Sequence, residues 1–221
     1  MRDAAGGSVP VLSLLEARVL GVLVEKQHTV PDTYPLTLNA LVAGCNQKTS
    51  RDPLLNASEG EVQAALDHLK TLSLVVESSG GRVMRYAHNA GKGLGLPPQS
   101  VALLAVLFLR GPQTAGELRI SSDRLHRFGD ILAVEGFLRE LAEHGFVREL
   151  PRSPGARETR WAHLLSGEPA APAAVHSAPD GARDAVAAGE TAALRARVDQ
   201  LERELGALRE AVEQLRAQLG G

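Results

Sequence analysis

Apolar positions recur along this chain in two matching series. Leu12, Leu15, Val19, Val22 and Leu23 fall at helical spacing, with Glu16, Arg18, Glu25 and Lys26 off that stripe. The pattern predicts a helix over Leu12–Gln27 with Ser13 as its N-cap. Leu38, Leu41 and Val42 predict a second, shorter helix over Leu36–Cys45, ended near Gly44. Ser58 followed by Glu61 forms a capping-box signature. It opens a third helix that carries Val62, Ala65, Leu66 and Leu69 on one face. Leu74–Glu77 and Arg82–His88 then read as strands around Ser78-Ser79-Gly80-Gly81, where glycine supplies the positive φ of a tight hairpin.

The second series repeats the first. Val62, Leu66, Leu69, Leu74 and Val75 reappear as Val134, Leu138, Leu141, Phe146 and Val147, each 72 residues later. Arg85-Tyr86-Ala87-His88 reappears as Arg160-Trp161-Ala162-His163, 75 residues later, so three extra residues fall in the second turn. The corresponding helices are predicted over Ser100–Leu109, Thr114–Ile120 and Asp130–Glu143, and the strands over Phe146–Leu150 and Glu158–Leu164. Three helices followed by a hairpin is the order of a winged helix, and a repeat of that unit governs the whole fold. Leu15, Val19, Leu23, Leu41, Val62, Leu66 and Leu69 are expected to form one core. Leu103, Leu104, Leu107, Leu118, Val134, Leu138 and Leu141 are expected to form another, with Tyr86 and Trp161 closing them.

A third pattern lies near the end of the chain. Leu194, Leu201, Leu208 and Leu215 alternate with Val198, Leu205, Val212 and Leu219 at steps of four and three. This heptad seam predicts a coiled coil, and hence a homodimer; an amphipathic helix folding back on its own chain is the alternative. The organisation expected is a disordered N-terminus 1–10, a winged-helix domain 11–89 and a linker 90–97. A second winged-helix domain 98–165, an Ala/Pro-rich disordered linker 166–190 and a coiled coil 191–219 follow. The fold class is α+β, mainly α.

Composition narrows the chemistry. The net charge is −2, so attraction to nucleic acid has to come from local patches. Cys45 is the single cysteine, which excludes an internal disulfide and a multi-cysteine metal site. A lone cysteine of this kind is usually a small buried apolar residue. The seven histidines form no H-x-x-x-H pair, and His88 and His163 occupy equivalent places after the wing strands, where closing the wing is the simpler role. No phosphate-loop, nucleophile-elbow or paired-carboxylate motif occurs. The chain is therefore expected to be non-enzymatic, with no catalytic residue, cofactor or metal. The longest apolar run, Val101–Leu109, is too short to span a bilayer, and Met1–Val9 does not read as a signal peptide. A cytoplasmic protein without membrane contact is expected.

A DNA-associated or regulatory role, exercised as a dimer, is the first expectation, and a protein-interaction scaffold is the alternative. A winged helix reads DNA with its third helix and touches phosphates with its wing. The candidate contacts are Lys48 and Arg51 in the loop Asn46–Ala57, Arg82 and Arg85 on the first wing, Arg119, Arg124 and Arg127 before the last helix, and Arg152 and Arg157 on the second wing. The third helices themselves are acidic. Glu59, Glu61 and Asp67 face Lys70 alone, and Asp130, Glu135, Glu140 and Glu143 face Arg139 alone. That composition favours the other class, a scaffold whose winged helices bind a partner protein.

The two units and the run Leu41–Pro53, above all Cys45-Asn46-Gln47-Lys48-Thr49-Ser50-Arg51-Asp52-Pro53, resemble the YceH-like family of uncharacterised bacterial proteins. The resemblance covers about Leu12–Leu165. It implies two tandem winged-helix domains, often followed by a C-terminal coiled coil. It implies no established biochemical activity and transfers no catalytic residue.

Overall fold

The computed structural model describes residues 9–79, 83–152 and 158–167, all within one compact unit, Met1–Pro169. Arg82, Arg157 and the heptad series 194–219 lie outside the described residues, as does the Ala/Pro-rich stretch beyond residue 167.

The capping signals mark where helices begin. Helix α1 (Leu14–Thr29) starts at Ser13, whose hydroxyl accepts from Glu16 N while the Glu16 carboxylate accepts from Ser13 N. Helix α2 (Leu38–Cys45) is capped by Thr37, and α3 (Glu59–Thr71) by the reciprocal Ser58–Glu61 box. Strands β1 (Val75–Ser79) and β2 (Met84–His88) pair antiparallel, with Glu77 opposite Tyr86. Helix α4 (Ala90–Leu94) follows, then α5 (Pro98–Arg110), α6 (Ala115–Ser121) and α7 (Ile131–Glu143). Strands β3 (Val147–Glu149) and β4 (Trp161–His163) close the series, with Glu149 opposite Trp161. The fold is α+β, predominantly helical, with two small two-stranded sheets.

The repeat extends to a contact that periodicity does not reveal. The residue entering the second helix of each half bridges to the aromatic of the second strand. Leu36 and Tyr86 exchange both backbone hydrogen bonds, at 3.0 and 2.8 Å, and Gln113 and Trp161 do the same at 3.0 and 2.7 Å. Each hairpin thus gains the beginning of a third strand on the edge that would otherwise be unpaired.

Residues 90–97 are folded. Ala90 of α4 is buried, and a Cβ at Gly93 would lie 2.8 Å from Leu74 Cδ2. Gly93 therefore serves close packing, while Gly95, at φ 68°, turns the chain.

The expected core residues are buried, except Leu15, which is half-exposed, but they do not form two separate cores. A single cluster of buried side chains runs through both halves. Its centre is the packing of α1 on α5, buried continuously over Ala17–Val24 and Ser100–Leu109 respectively. Gly21 makes the approach close, since a Cβ there would lie 3.0 Å from Leu109 Cγ and 3.1 Å from Phe108 Cβ. A helix flanked on every side has no solvent face. That corrects the expectation for Arg18, which lies off the apolar stripe yet is fully buried.

Candidate functional site

The loop 46–57 is fastened at both ends and at its centre. The Asn46 side chain donates to Ala57 O and accepts from Ala57 N, both at 2.8 Å. Asp52 N donates to Leu109 O at 2.8 Å, occupying a free carbonyl in the last turn of α5. From the other side, the Arg18 guanidinium donates to Cys45 O at 3.3 Å and Pro53 O at 2.7 Å. Arg51 completes the joint. Its Nη1 and Nη2 grip the two Glu25 oxygens at 3.1 and 2.6 Å, and its Nε donates to Gly44 O at 3.1 Å.

Arg51 is therefore corrected as a nucleic-acid contact. Its side chain has no exposed surface, and its donors are spent inside the protein. Burial opposes the charge on Glu25, but the Arg51 hydrogen bonds and charge outweigh it and hold that carboxyl below its usual range. Burial pushes the Cys45 thiol up to about 12 despite the nearby arginines, so it stays protonated at neutral pH. Lys48 stands exposed on the same loop.

The repeated Arg-aromatic-Ala-His motif is likewise built into the framework. Arg85 is half-buried and donates to Pro35 O at 2.7 Å and Thr33 O at 3.3 Å. Arg160, its counterpart, donates to Pro112 O at 2.8 Å and pairs with Glu117 at 3.1 Å. Each arginine thus ties the second strand to the segment entering the second helix. His88 Nε2 lies 2.6 Å from Gln27 Oε1, and His163 sits edge-on to Phe108 at 4.8 Å. Burial lowers both imidazoles to about 4, with the His28 charge adding to the effect at His88, so both are neutral at pH 7.

Three of the expected cations do converge. Arg119, Arg124 and Arg127 are exposed around the corner between α6 and α7. They line two concavities, of about 610 and 250 Å³, that share Ile120 and Asp123. Arg152 belongs to a different cleft of about 380 Å³ between α7 and the second hairpin. There it stands among Glu135, Glu149 and Glu158, with Arg139 and Trp161. The seven expected contacts among the described residues thus do not form one basic face: three gather at the α6–α7 corner, Arg51 and Arg85 serve the framework, and Lys48 and Arg152 stand elsewhere.

The third helices keep their acidic character. On α3, Lys70 is held by Asp67 at 3.0 Å and by Glu77 at 2.7 Å. On α7, Arg139 pairs with Glu135 at 2.9 Å, while Glu140 and Glu143 are exposed. The start of α7 presents Leu132, 72% exposed, beside the partly exposed Ile131. Among the described residues no group of three or more His, Cys, Asp or Glu could hold a metal ion, and no helix is long and apolar enough to cross a membrane.

Sequence reading missed Arg18 and Glu25 as parts of the joint. The signal available was the unbroken apolar run Val19–Val24, which predicts a helix covered all round and therefore buried charges beside it.

A family profile described as "Protein of unknown function, DUF480" matches residues 12–156, which include both halves of the repeat up to the second hairpin. The chain belongs to this family. Family relatives include a UPF0502 protein of Methylibium petroleiphilum, 58% identical over 207 residues, covering 92% of this chain and 88% of the relative. A UPF0502 protein of Dechloromonas aromatica is 60% identical over 202 residues, covering 89% and 92% respectively. One of Burkholderia orbicola is 57% identical over 195 residues, covering 87% and 83%. The family is an uncharacterised bacterial one, in agreement with the resemblance carried by the Cys45–Pro53 run.

Proposed function

We propose that this chain is a non-enzymatic, cytoplasmic scaffold of two tandem winged-helix units that binds a partner protein, and that it dimerises through a coiled coil formed by the heptads over 194–219. The winged-helix reading rests on the order of three helices and a hairpin in each half, with the same backbone bridge at Tyr86 and Trp161. The observation that carries the protein-binding reading is the surface of α7. Where a DNA reader of this class places its groove-entering helix, this one offers Ile131, Leu132 and carboxylates, and its Arg139 is paired with Glu135. An acidic helix is repelled by phosphate, whereas exposed apolar side chains suit a protein interface.

A DNA-associated regulatory role is the second reading, favoured by the convergence of Arg119, Arg124 and Arg127. Fluorescence anisotropy of mixed-sequence duplex DNA against the full chain separates the two. Measurements run from about 50 to about 200 mM salt, where phosphate contacts weaken most visibly. No binding at low salt is expected. Micromolar binding that falls steeply with salt, and is lost when Arg119 and Arg124 are changed to Glu, overturns the protein-binding reading. Equilibrium sedimentation tests the dimer: a monomeric full chain at micromolar concentrations rejects it.

A further inference from the structure

We propose that the groove between the C-terminal end of α1 and the α6–α7 corner is a docking site for an acidic peptide segment bearing a bulky apolar side chain. The proposal rests on the protein-binding reading above and specifies the partner's chemistry. The groove, of about 610 Å³, is lined by Lys26, Val30, Arg110, Ile120, Arg124 and Leu125, among others. Its volume falls within the roughly 300–1,000 Å³ of ligand-binding clefts.

Its charge is the first argument. The chain as a whole carries −2. The groove and the adjoining hollow bring together Lys26, Arg110, Arg119, Arg124 and Arg127 against two carboxylates, Glu25 and Asp123. Glu25 is held by Arg51 and also lies 3.4 Å from Lys26, and Asp123 sits 3.6 Å from Arg127, so the excess rests on Arg110, Arg119 and Arg124. The guanidinium groups of Arg110, Arg119 and Arg124 make no ion pair among the described residues. A local excess of positive charge of this kind, in an otherwise acidic chain, attracts an anionic partner.

The apolar lining is the second argument, and it selects peptide over nucleic acid. Ile120 is 75% exposed and Val30 40%, and both face the same concavity with the partly buried Leu125. A phosphate backbone gains nothing from such side chains. A Leu or Phe flanked by Asp or Glu fills the concavity and places its carboxylates at the rim arginines, the arrangement of an apolar anchor within a polar border.

The test uses the full chain and three fluorescein-labelled probes: a short peptide of repeated Leu-Glu-Glu triplets, the same peptide with Gly for Leu, and a mixed-sequence DNA duplex. The Leu-Glu-Glu peptide is expected to bind. Its affinity is expected to fall by about tenfold or more in the Ile120→Asp variant, in the Arg119→Glu/Arg124→Glu variant and for the Gly peptide, and to stay unchanged in Arg152→Glu, which alters a different cleft. Circular dichroism confirms folding. If the double variant does not fold, Ile120→Asp alone decides. No peptide binding, or equal binding by the Leu and Gly peptides, overturns the groove proposal while leaving the α7-based reading standing. Tighter binding of the duplex, lost with the same arginines, overturns both.

Discussion

Arg51 holds Glu25 by both carboxylate oxygens across 26 residues of sequence, at 3.1 and 2.6 Å, with the arginine side chain wholly out of solvent. The pair joins the C-terminal half of α1 to the loop that touches the end of α5. Arg51→Ala leaves Glu25 facing the joint without its main partner and strips Gly44 O of a donor. We expect a loss of about 3 kcal/mol, typical of breaking one side of a buried pair, measured by urea denaturation. Lys48→Ala, at an exposed position on the same loop, should stay within about 0.5 kcal/mol of the parent. Equal effects of the two changes would show that the joint contributes no stability.

Gly21 tests the seam between the halves. A Cβ there meets Leu109 and Phe108 at 3.0–3.1 Å, and these neighbours sit on a packed helix that yields little. Gly21→Val should cost about 1–3 kcal/mol by overpacking, less whatever the loss of a helical glycine returns. The thermal melt of the parent should show one transition, because α1 and α5 belong to one buried cluster. Two separate transitions in the parent would contradict that shared core.

Leu66 and Leu138 occupy equivalent, fully buried positions on α3 and α7. Each Leu→Ala change should cost roughly 2–5 kcal/mol. Both should lower the same transition by calorimetry, although the sites lie 72 residues apart in sequence.

The two wing histidines make stability depend on pH. Their folded values, near 4, lie below the ordinary imidazole value, so the unfolded chain binds protons first as the solution is acidified. Their contribution is complete above about pH 6.5. It is lost as pH falls from there through about 4, at up to about 3 kcal/mol for each histidine. Urea midpoints measured at several pH values across this window should fall steadily on acidification. The His88→Gln/His163→Gln double variant should show a shallower decline. An identical slope would assign the acid sensitivity to other groups, Glu25 first among them.

The helices, their caps and the hairpins were legible because each depends on neighbours in sequence. Ser13 and Ser58 cap helices through residues three positions on, and the apolar stripes of α3 and α7 each face one buried side. The relation between the halves was less legible. It depends on α1 being covered from two sides, which turns an apparent surface residue, Arg18, into a core residue and a loop cation, Arg51, into its neighbour. The Arg85 and Arg160 clasps escaped for a related reason: their acceptors are backbone carbonyls near Pro35 and Pro112, which no side-chain pattern announces. The convergence of Arg119, Arg124 and Arg127 was partly visible as a dense stretch, but the α1 side of their groove was not.

The bond from Asp52 N to Leu109 O has a consequence for how the repeat can vary. Two copies of one plan are stitched together through their first helices and through the loop of the first copy, whose counterpart in the second, between α6 and α7, is shorter, so the copies are no longer interchangeable parts. Excising either would leave the apolar face of the other copy's first helix in water. Across the described residues the two copies share one buried cluster, so a change that loosens the core of one copy is felt by the other.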